Sequence, residues 1–530
     1  GLNMMVIEFK NTIIIIDAGL MFPEDYMLGV DLVIPDMDYI RNHKSEVAGI
    51  FLTHAHEDHI GALPYLLKEV KAPVFATPFT LGMVRQKLEE ADFLPDIDLR
   101  EIYPTQRIAV GDMDIEVIRV SHSVVDSVAY AIRTELGIIV HTGDFRISHT
   151  VIDGMPTDLN RFARCGDEGV LVLMSDSTNA DQPGTTPSER VVDAAFAQVF
   201  REAKGRIIVG TFASLISRIQ QVANAAAKHN RKLAFTGTSM LENVKMAQKL
   251  GYLDLPSDLI VRLEDTKRLP NDRVVIMTTG TQGEPSSVLA RVSIGQHSQI
   301  QIDRGDTVIM SSHPIPGNEE MVNRTINRLF QRGANVLYDP IAQVHVSGHA
   351  AQEEQKLMLN LVRPQHFTPI HGELRHLRAH ETLARQVGVP PENIFVIENG
   401  YPLEFHEGEA RIGERVPGGY VYIDGSGVGD IGPSVLRDRE VLGRDGFVVA
   451  VVHRDPDTGQ LVDQPEIITK GFIYTNEASD IINGAIETVT RLAQDTTLSD
   501  KALRERLIDK LSEYVYHETK RRPMIIPVLS

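Results

Sequence analysis

Residues 51–67 read FLTHAHEDHIGALPYLL: an apolar strand end, then His54, His56, Asp58 and His59 inside six positions, then an apolar run of helical period. Alternate side chains of an extended segment share a face, so His54 and His56 can offer their imidazoles to one ion. Asp58 is expected to cap a helix beginning DHIGALPYLLKEV, which leaves His59 free to turn inward. Four such donors can serve two ions. Neutral imidazole and carboxylate suit Zn²⁺ best, with Mn²⁺ or Mg²⁺ as alternatives at higher coordination number. The stretch is not a HExxH site, because His56-Glu57-Asp58-His59 spaces its histidines wrongly for one helical face.

Working outward, further donors stand where other apolar runs end. His122 follows IEVIRVS, Asp144 lies in HTGDF, and His371 lies in TPIHGE. A carboxylate can bridge two ions and an imidazole cannot, which singles out Asp144. Asp17, closing TIIIIDAG, is placed to accept a hydrogen bond from a ligand and orient it. A lone histidine is ordinarily a surface or satisfied core residue; HxHxDH followed by strand-end His, Asp and His is a different pattern.

Apolar runs alternate with amphipathic segments over most of the 530 residues, the pattern of an α/β protein too long for one core. Residues 1–187 carry strands ending in ionisable residues. Residues 188–352 repeat strand, Gly/Thr/Ser turn and helix, which predicts a parallel, doubly wound sheet. Residues 353–432 return to the first style. A glycine-rich passage, GGYVYIDGSGVGDIG, leads to a linker at 433–446, and 447–530 read as a small α+β domain with helices at about 476–495 and 499–520 and a last strand MIIPVL. GSGVGDIG at 425–432 opens no helix of a βαβ unit, so it is not a dinucleotide fingerprint.

The 53 basic and 72 acidic residues leave a formal charge of −19, which argues against general affinity for nucleic acid or membranes and makes any polyanion site local. No apolar run reaches the roughly 20 residues that span a bilayer, so no membrane role is expected. The single Cys165 excludes a disulfide framework and reads as a buried core thiol in a reducing cytoplasm. GLNMMVIEF reads as strand from the outset, without a starting methionine, so upstream residues are expected to be missing.

These residues carry a resemblance. His54, His56, Asp58, His59, His122 and Asp144, with Asp17 upstream, look like the metal motifs of the metallo-β-lactamase superfamily, whose fold is an αββα sandwich. Asp176 in MSDSTNAD, His349 in HVSGHA and His371 in PIHGE resemble motifs A, B and C of its β-CASP branch, nucleases with a second α/β domain inserted. With the small C-terminal domain, the layout resembles the bacterial ribonuclease J family over nearly the whole chain. The glycine-rich stretch that precedes LNMMVIE in that family is absent. Motif C is typically valine in β-CASP proteins acting on DNA and histidine in those acting on RNA, so His371 implies RNA.

The resemblance implies a hydrolase of RNA decay and maturation, acting in mRNA decay and rRNA processing. It would degrade single-stranded, 5′-monophosphorylated RNA from the 5′ end and also cut internally. Two divalent ions about 3.5 to 4 Å apart can bring the pKa of a water towards neutrality. His54, His56 and His122 are expected to hold one ion, Asp58, His59 and His371 the other, with Asp144 between them. His349, its ring fixed by Asp176, is expected to serve the departing 3′-oxygen, leaving a 5′-phosphate on the downstream fragment. Asp58, Asp144, Asp176 and His349 are thus the expected catalytic residues.

Small residues and hydroxyls in RIIVGTFASLISR and HVSGHA lie between strand and helix, where free amides and the helix dipole suit an anion. Ser214, His345, Ser347, Gly348, His349 and Ala350 resemble the family's pocket for the terminal 5′-phosphate. A homodimer or homotetramer, RNA-decay partners and a cytoplasmic location belong to the same implication. KRR at 520–522 and RHLRAH at 375–380 are the clearest basic patches; each is either a solvated face or an RNA-backbone contact, the latter favoured for RHLRAH beside His371. Two alternatives stay open: a small-molecule hydrolase of the same superfamily, and a non-catalytic RNA-binding β-CASP subunit.

Overall fold

Four consecutive isoleucines, Ile13–Ile16, make the strand Thr12–Ile16 and are at most 1% exposed, as β-branched residues covered on both faces of a sheet should be. The structure is a computed structural model that describes residues 2–43, 46–91, 97–152, 155–315, 317–406, 409–473 and 479–530. Within it that strand sits in a five-stranded sheet of order Met5–Phe9, Thr12–Ile16, Val47–Phe51, Val74–Ala76, Leu99–Glu101. A six-stranded sheet runs His366–Ile370, Val170–Asp176, Gly137–His141, Val128–Thr134, Met113–Arg119, Arg107–Val110. Ile14, Ile16, Phe51 and Phe75 of the first meet Ile115, Val117, Tyr130 and Ile132 of the second, so an apolar core lies between the sheets. Phe51 stacks on Phe75 at 4.5 Å between ring centroids and takes Tyr130 edge-on at 5.6 Å.

Helices cover the outer faces. Pro78–Glu90 packs on the first sheet at Leu99–Glu101. On the second, Phe162 and Cys165 from Leu159–Glu168 join Met358, Leu359 and Val362 from Gln352–Val362 and Ala384 from Leu374–Gln386. This is the αββα sandwich. Cys165 is buried there, as expected, and burial pushes its thiol up to about 11.

Strand direction positions the site. Thr12–Ile16 and Val47–Phe51 are parallel. His366–Ile370, Val170–Asp176 and Gly137–His141 are parallel, and Met113–Arg119, two antiparallel steps further, points the same way. Their C-terminal ends therefore deliver His122, Asp144, Asp176 and His371 to one rim.

The inserted region is a wholly parallel sheet of order Lys232–Phe235, Val274–Thr278, Ile207–Gly210, Thr307–Met310, Asn335–Tyr338. The chain winds one way from Ile207–Gly210 and returns on the other side at Thr307–Met310. Between those two strands lies the switch point where such sheets bind ligands.

The chain divides into two compact units, residues 1–21 with 34–420 and residues 22–33 with 421–530. This corrects two expectations. Residues 22–33 group with the C-terminal residues: the Asp31 N–H donates to the Ile423 carbonyl at 2.8 Å, the Gly425 N–H to Asp31 Oδ2 at 2.7 Å, and Arg439 holds the Leu28 carbonyl at 2.9 Å. The expected linker at 433–446 is instead the helix Pro433–Asp445, with proline in its first turn and Leu436 buried. The glycines before it serve a hairpin of Tyr420–Asp424 with Gly427–Val428. Beyond lie the three strands Glu466–Lys470, Phe447–Val452 and Met524–Leu529, with helices Ser479–Ala493 and Asp500–Thr519 over a core of their own. The expected helix start at about 476 lies outside the described residues.

Candidate metal centre

The expected helix DHIGALPYLLKEV is not continuous. Glu57–Ile60 and Leu63–Glu69 are separate, and Pro64 stands in the first turn of the second. His56 occupies the N-cap position and Asp58 lies within the first turn, so the expected Asp58 cap is corrected. Asp58 and His59 both belong to the first of these short helices. Asp17 and His371 both adopt left-handed backbone, φ 63° and 53°, a strained state that concentrates at functional positions.

Three donor clusters result: His54, His56, His122 and Asp144; Asp58, His59 and His371; and Asp144, Asp176 and His349, with the offered atoms of each within 4.8 Å of one another. His56 Nδ1 is 3.0 Å from His54 Nε2 and 3.2 Å from His122 Nε2. His371 Nε2 is 3.2 Å from His59 Nε2 and 3.2 Å from Asp58 Oδ2. Asp144 Oδ2 stands between the groups, 3.3 Å from His59 Nε2 and His371 Nε2, 3.5 Å from His54 Nε2 and 3.7 Å from His122 Nε2.

The outward nitrogens explain the inward ones. His122 Nδ1 donates to the Gly348 carbonyl at 2.9 Å, and His59 Nδ1 to Asp17 Oδ2 at 2.7 Å. Thr53 Oγ1 gives its hydrogen to Asp17 and accepts from His54 Nδ1 at 3.0 Å. Thr178 Oγ1 gives its hydrogen to Asp176 Oδ1 and accepts from His371 Nδ1 at 3.0 Å. Four rings thus turn lone pairs towards one another, an arrangement that asks for a cation. Asp144 Oδ1 is buried with no hydrogen-bond partner among the described residues, an orphan that a cation satisfies. Burial drives His54 and His122 well below the ordinary histidine value and His56 to about 4. Burial also opposes charge on His371, yet the Asp144 and Asp58 carboxylates push it up to about 10. The donor set fits divalent metal.

His349 stands at the edge of this ring, 18% exposed, its Nδ1 2.8 Å from Asp176 Oδ2. Burial works against its charge, and Asp176 and Asp144 outweigh it and raise the pKa. Of the expected phosphate residues, the structure gathers 345–349 on one segment. Asn179 Nδ2 donates to Ser347 Oγ at 2.9 Å and to the His349 carbonyl at 3.1 Å. Ser214 lies one loop away, after Ile207–Gly210 at the switch point. The Ala350 methyl belongs to the apolar core of the sandwich, which leaves its backbone as the part that can face an anion. One correction applies here. The amides opening helix Gln352–Val362 are not free: Ala351 donates to Glu354 Oε2 at 3.0 Å, Gln352 to the Gln182 carbonyl at 3.1 Å, and Glu353 to the Gly184 carbonyl at 2.9 Å.

At 375–380 the structure supplies acidic partners for the basic residues, as a solvated face would. Arg375 pairs with Asp181 at 2.8 Å and Glu373 at 3.0 Å, Arg378 with Glu381 at 2.8 Å, while His376 and His380 are buried. Around Tyr516, Lys520 and Arg522 stack on the ring, and Arg521 holds the Phe472 carbonyl at 2.6 Å.

Asn3, Thr53, Ser123 and Thr178 escaped the sequence reading. Asn3 Nδ2 lies 3.3 Å from Asp58 Oδ2, and Ser123 Oγ lies 3.3 Å from His56 Nε2. Only Thr178 had a signal, the D-x-T spacing of a side chain that closes its own turn.

Comparison with known proteins agrees with this geometry. Family models match at residues 2–178 (metallo-beta-lactamase superfamily), 204–329 (ribonuclease J, beta-CASP domain), 333–396 (Zn-dependent metallo-hydrolase RNA specificity domain) and 434–530 (ribonuclease J C-terminal domain). A crystal structure of a protein of unknown function from Enterococcus faecalis V583 shares the fold, with TM-score 0.53 at 15% identity over 79% of this chain and 96% of that one. Ribonuclease J of Thermus thermophilus is 44% identical over all of this chain and 93% of its own length. Ribonuclease J2 of Bacillus subtilis is 41% identical over all of this chain and 96% of its own length. An RNA specificity domain and full-length ribonuclease relatives decide against a small-molecule hydrolase, and the complete donor set against a subunit stripped of its ligands. The chain belongs to the ribonuclease J family, metal-dependent hydrolases of RNA built on a metallo-β-lactamase fold with a β-CASP insertion.

Proposed function

We propose that this ribonuclease degrades 5′-monophosphorylated single-stranded RNA from its 5′ end and, at the same centre, cuts RNA internally when no end is seated. His54, His56 and His122 would hold one divalent ion, Asp58, His59 and His371 would hold the other, and Asp144 would complete the donor set. The observation that carries this is Asp144 itself: one oxygen faces four imidazole nitrogens within 3.7 Å, and the other is buried without a partner among the described residues. Such ions, when bound, bring the pKa of water towards neutrality and neutralise phosphodiester charge. Histidine-rich donors with shared carboxylate favour Zn²⁺ over Mn²⁺ or Mg²⁺.

His349, held at Nδ1 by Asp176, turns Nε2 to the departing 3′-oxygen and gives it a proton, so the downstream fragment keeps a 5′-phosphate. Ser214 and the 345–349 segment receive the terminal phosphate, and residues 188–352 roof the cleft so that a polymer must thread. The resemblance also carries a homodimer or homotetramer, RNA-decay partners and a cytoplasmic setting, read directly by light scattering, pull-down and fractionation. The reading is tested by product-resolved digestion of RNAs identical except for a 5′-monophosphate, triphosphate or hydroxyl. Processive release of mononucleotides from the monophosphate alone, abolished by chelator, is expected; equal products from all three ends would overturn it.

A further inference from the structure

The largest fully buried side chain among the described residues is an arginine, Arg218, 0% exposed on helix Ile216–Lys228. A guanidinium survives such burial only when every donor is used and its charge is matched. Its Nε donates to Gln221 Oε1 at 2.8 Å, its Nη2 to Glu189 Oε2 at 2.7 Å, and its Nη1 to Ser311 Oγ and the Val344 carbonyl. The other oxygen of Glu189 accepts from Arg146 Nη2 at 3.3 Å, and Arg146 Nη1 donates to the Ser347 carbonyl at 3.1 Å. One carboxylate thus joins two guanidiniums, and each guanidinium grips one carbonyl of the segment 344–347.

Three features make this more than packing. The side chains of Arg146 and Glu189 are 4% and 2% exposed, so two cations and one anion leave a formal excess of one positive charge in a site that excludes solvent. Arg146 Nε is buried with no hydrogen-bond partner among the described residues, a donor left over from the network. The gripped segment continues into Gly348, whose carbonyl holds the ring of His122, and Arg146 follows Asp144 by two residues. The helix Gln352–Val362 has already spent its first amides on protein acceptors, so the positive potential for an anion on this segment has to come from elsewhere.

We propose that Glu189, by joining Arg146 and Arg218, is a positioning group that sets the place of segment 344–349, so that grip on a terminal phosphate and alignment with the metal ligands are set together. The proposal rests on the reading of that segment as the 5′-phosphate site. Glu189 touches neither substrate nor ion; it acts through the two arginines. Uncharging it leaves two buried cations without their shared partner and releases both carbonyl grips.

The test compares Glu189→Gln and the milder Arg146→Lys, which keeps the charge and loses the fork, with the unaltered chain on two RNAs that differ only in 5′-monophosphate or 5′-hydroxyl. The expected result is a fall of at least tenfold in the preference for the monophosphate, read as the ratio of kcat/KM values and carried by KM, with metal content by elemental analysis intact. Arg146→Lys keeps the question open to measurement should Glu189→Gln not fold. A fall shared equally by both RNAs, or a ratio that does not move in either variant, overturns the proposal and leaves the phosphate site standing. An unaltered chain that shows no preference overturns the phosphate site and the proposal with it.

Discussion

His349 and Asp176 touch through one 2.8 Å contact, and that contact separates a proton-handling role from a metal-holding one. Because His122, His54, His56 and Asp144 already complete the neighbouring donor cluster, His349→Ala is expected to keep both ions. General acid–base groups of this kind contribute roughly 10²- to 10⁴-fold, so single-turnover cleavage should slow by that much with unchanged metal content. Loss of metal in that variant would make His349 a ligand. A second residue-scale effect sits behind the site. His380 is fully buried against Phe367, its Nδ1 3.0 Å from Ser177 Oγ, and burial holds it at about 3 against an ordinary 6.5. Above that ordinary value neither the folded nor the unfolded chain protonates it. Below it only the unfolded chain does, so stability falls as pH drops from 6.5 towards 3, by about 1.4 kcal/mol per pH unit for this one group. In His380→Phe the pH slope of the unfolding free energy over that window should shrink by about one proton, measured by denaturant titration at several pH values; an unchanged slope would contradict the buried neutral ring.

At the scale of elements, the rim depends on a close approach that only glycine allows. A Cβ on Gly348 would lie 2.6 Å from His122 Cε1 and 2.7 Å from His122 Nδ1. Gly348→Ala must therefore displace either the gripped segment or the ligand ring, and we expect sub-stoichiometric metal and a cleavage rate lowered by about 10²-fold, the scale of a misplaced catalytic group. Full metal loading at the ordinary rate would show that the segment yields instead. What the sequence made legible follows the same elements. Apolar runs ending in Asp17, His54, His122, Asp144, Asp176 and His371 could be read as strands because β-branched runs and their polar ends are local signals. The partners of those residues could not. Thr53, Ser123 and the Gly348 carbonyl are ordinary residues until tertiary contact gives each a histidine nitrogen. Nothing local in the sequence marks Glu354 as the acceptor for the amides of Ile147 and Thr186 as well as that of Ala351. RHLRAH reads as basic because its neutralising acids, Asp181 and Glu381, lie one across the fold and one a turn later. The helix Pro433–Asp445 hid behind a glycine-rich passage whose turns belong to the hairpin before it.

The division of the whole molecule makes metal removal diagnostic. Every proposed ligand, and the Asp176–His349 pair, lies in the unit formed by residues 1–21 and 34–420, whereas the unit of 22–33 and 421–530 has its own core of Val448, Val489, Leu503, Leu507 and Leu511. A ligand that binds only the folded state stabilises by RT ln(1 + [L]/Kd), about 2.7 kcal/mol at a hundredfold excess over Kd, and it does so only for the cooperative unit that holds it. In scanning calorimetry of chelated against Zn²⁺- or Mn²⁺-loaded protein, the transition of the larger unit should therefore fall by a few degrees on chelation, on the order of 1 °C per kcal/mol for a unit of this length. The transition of the smaller unit should stay where it is, and RNA cleavage should return only with added metal. If both transitions moved together, the two units would unfold as one, and the metal centre would be stabilising residues that supply none of its ligands.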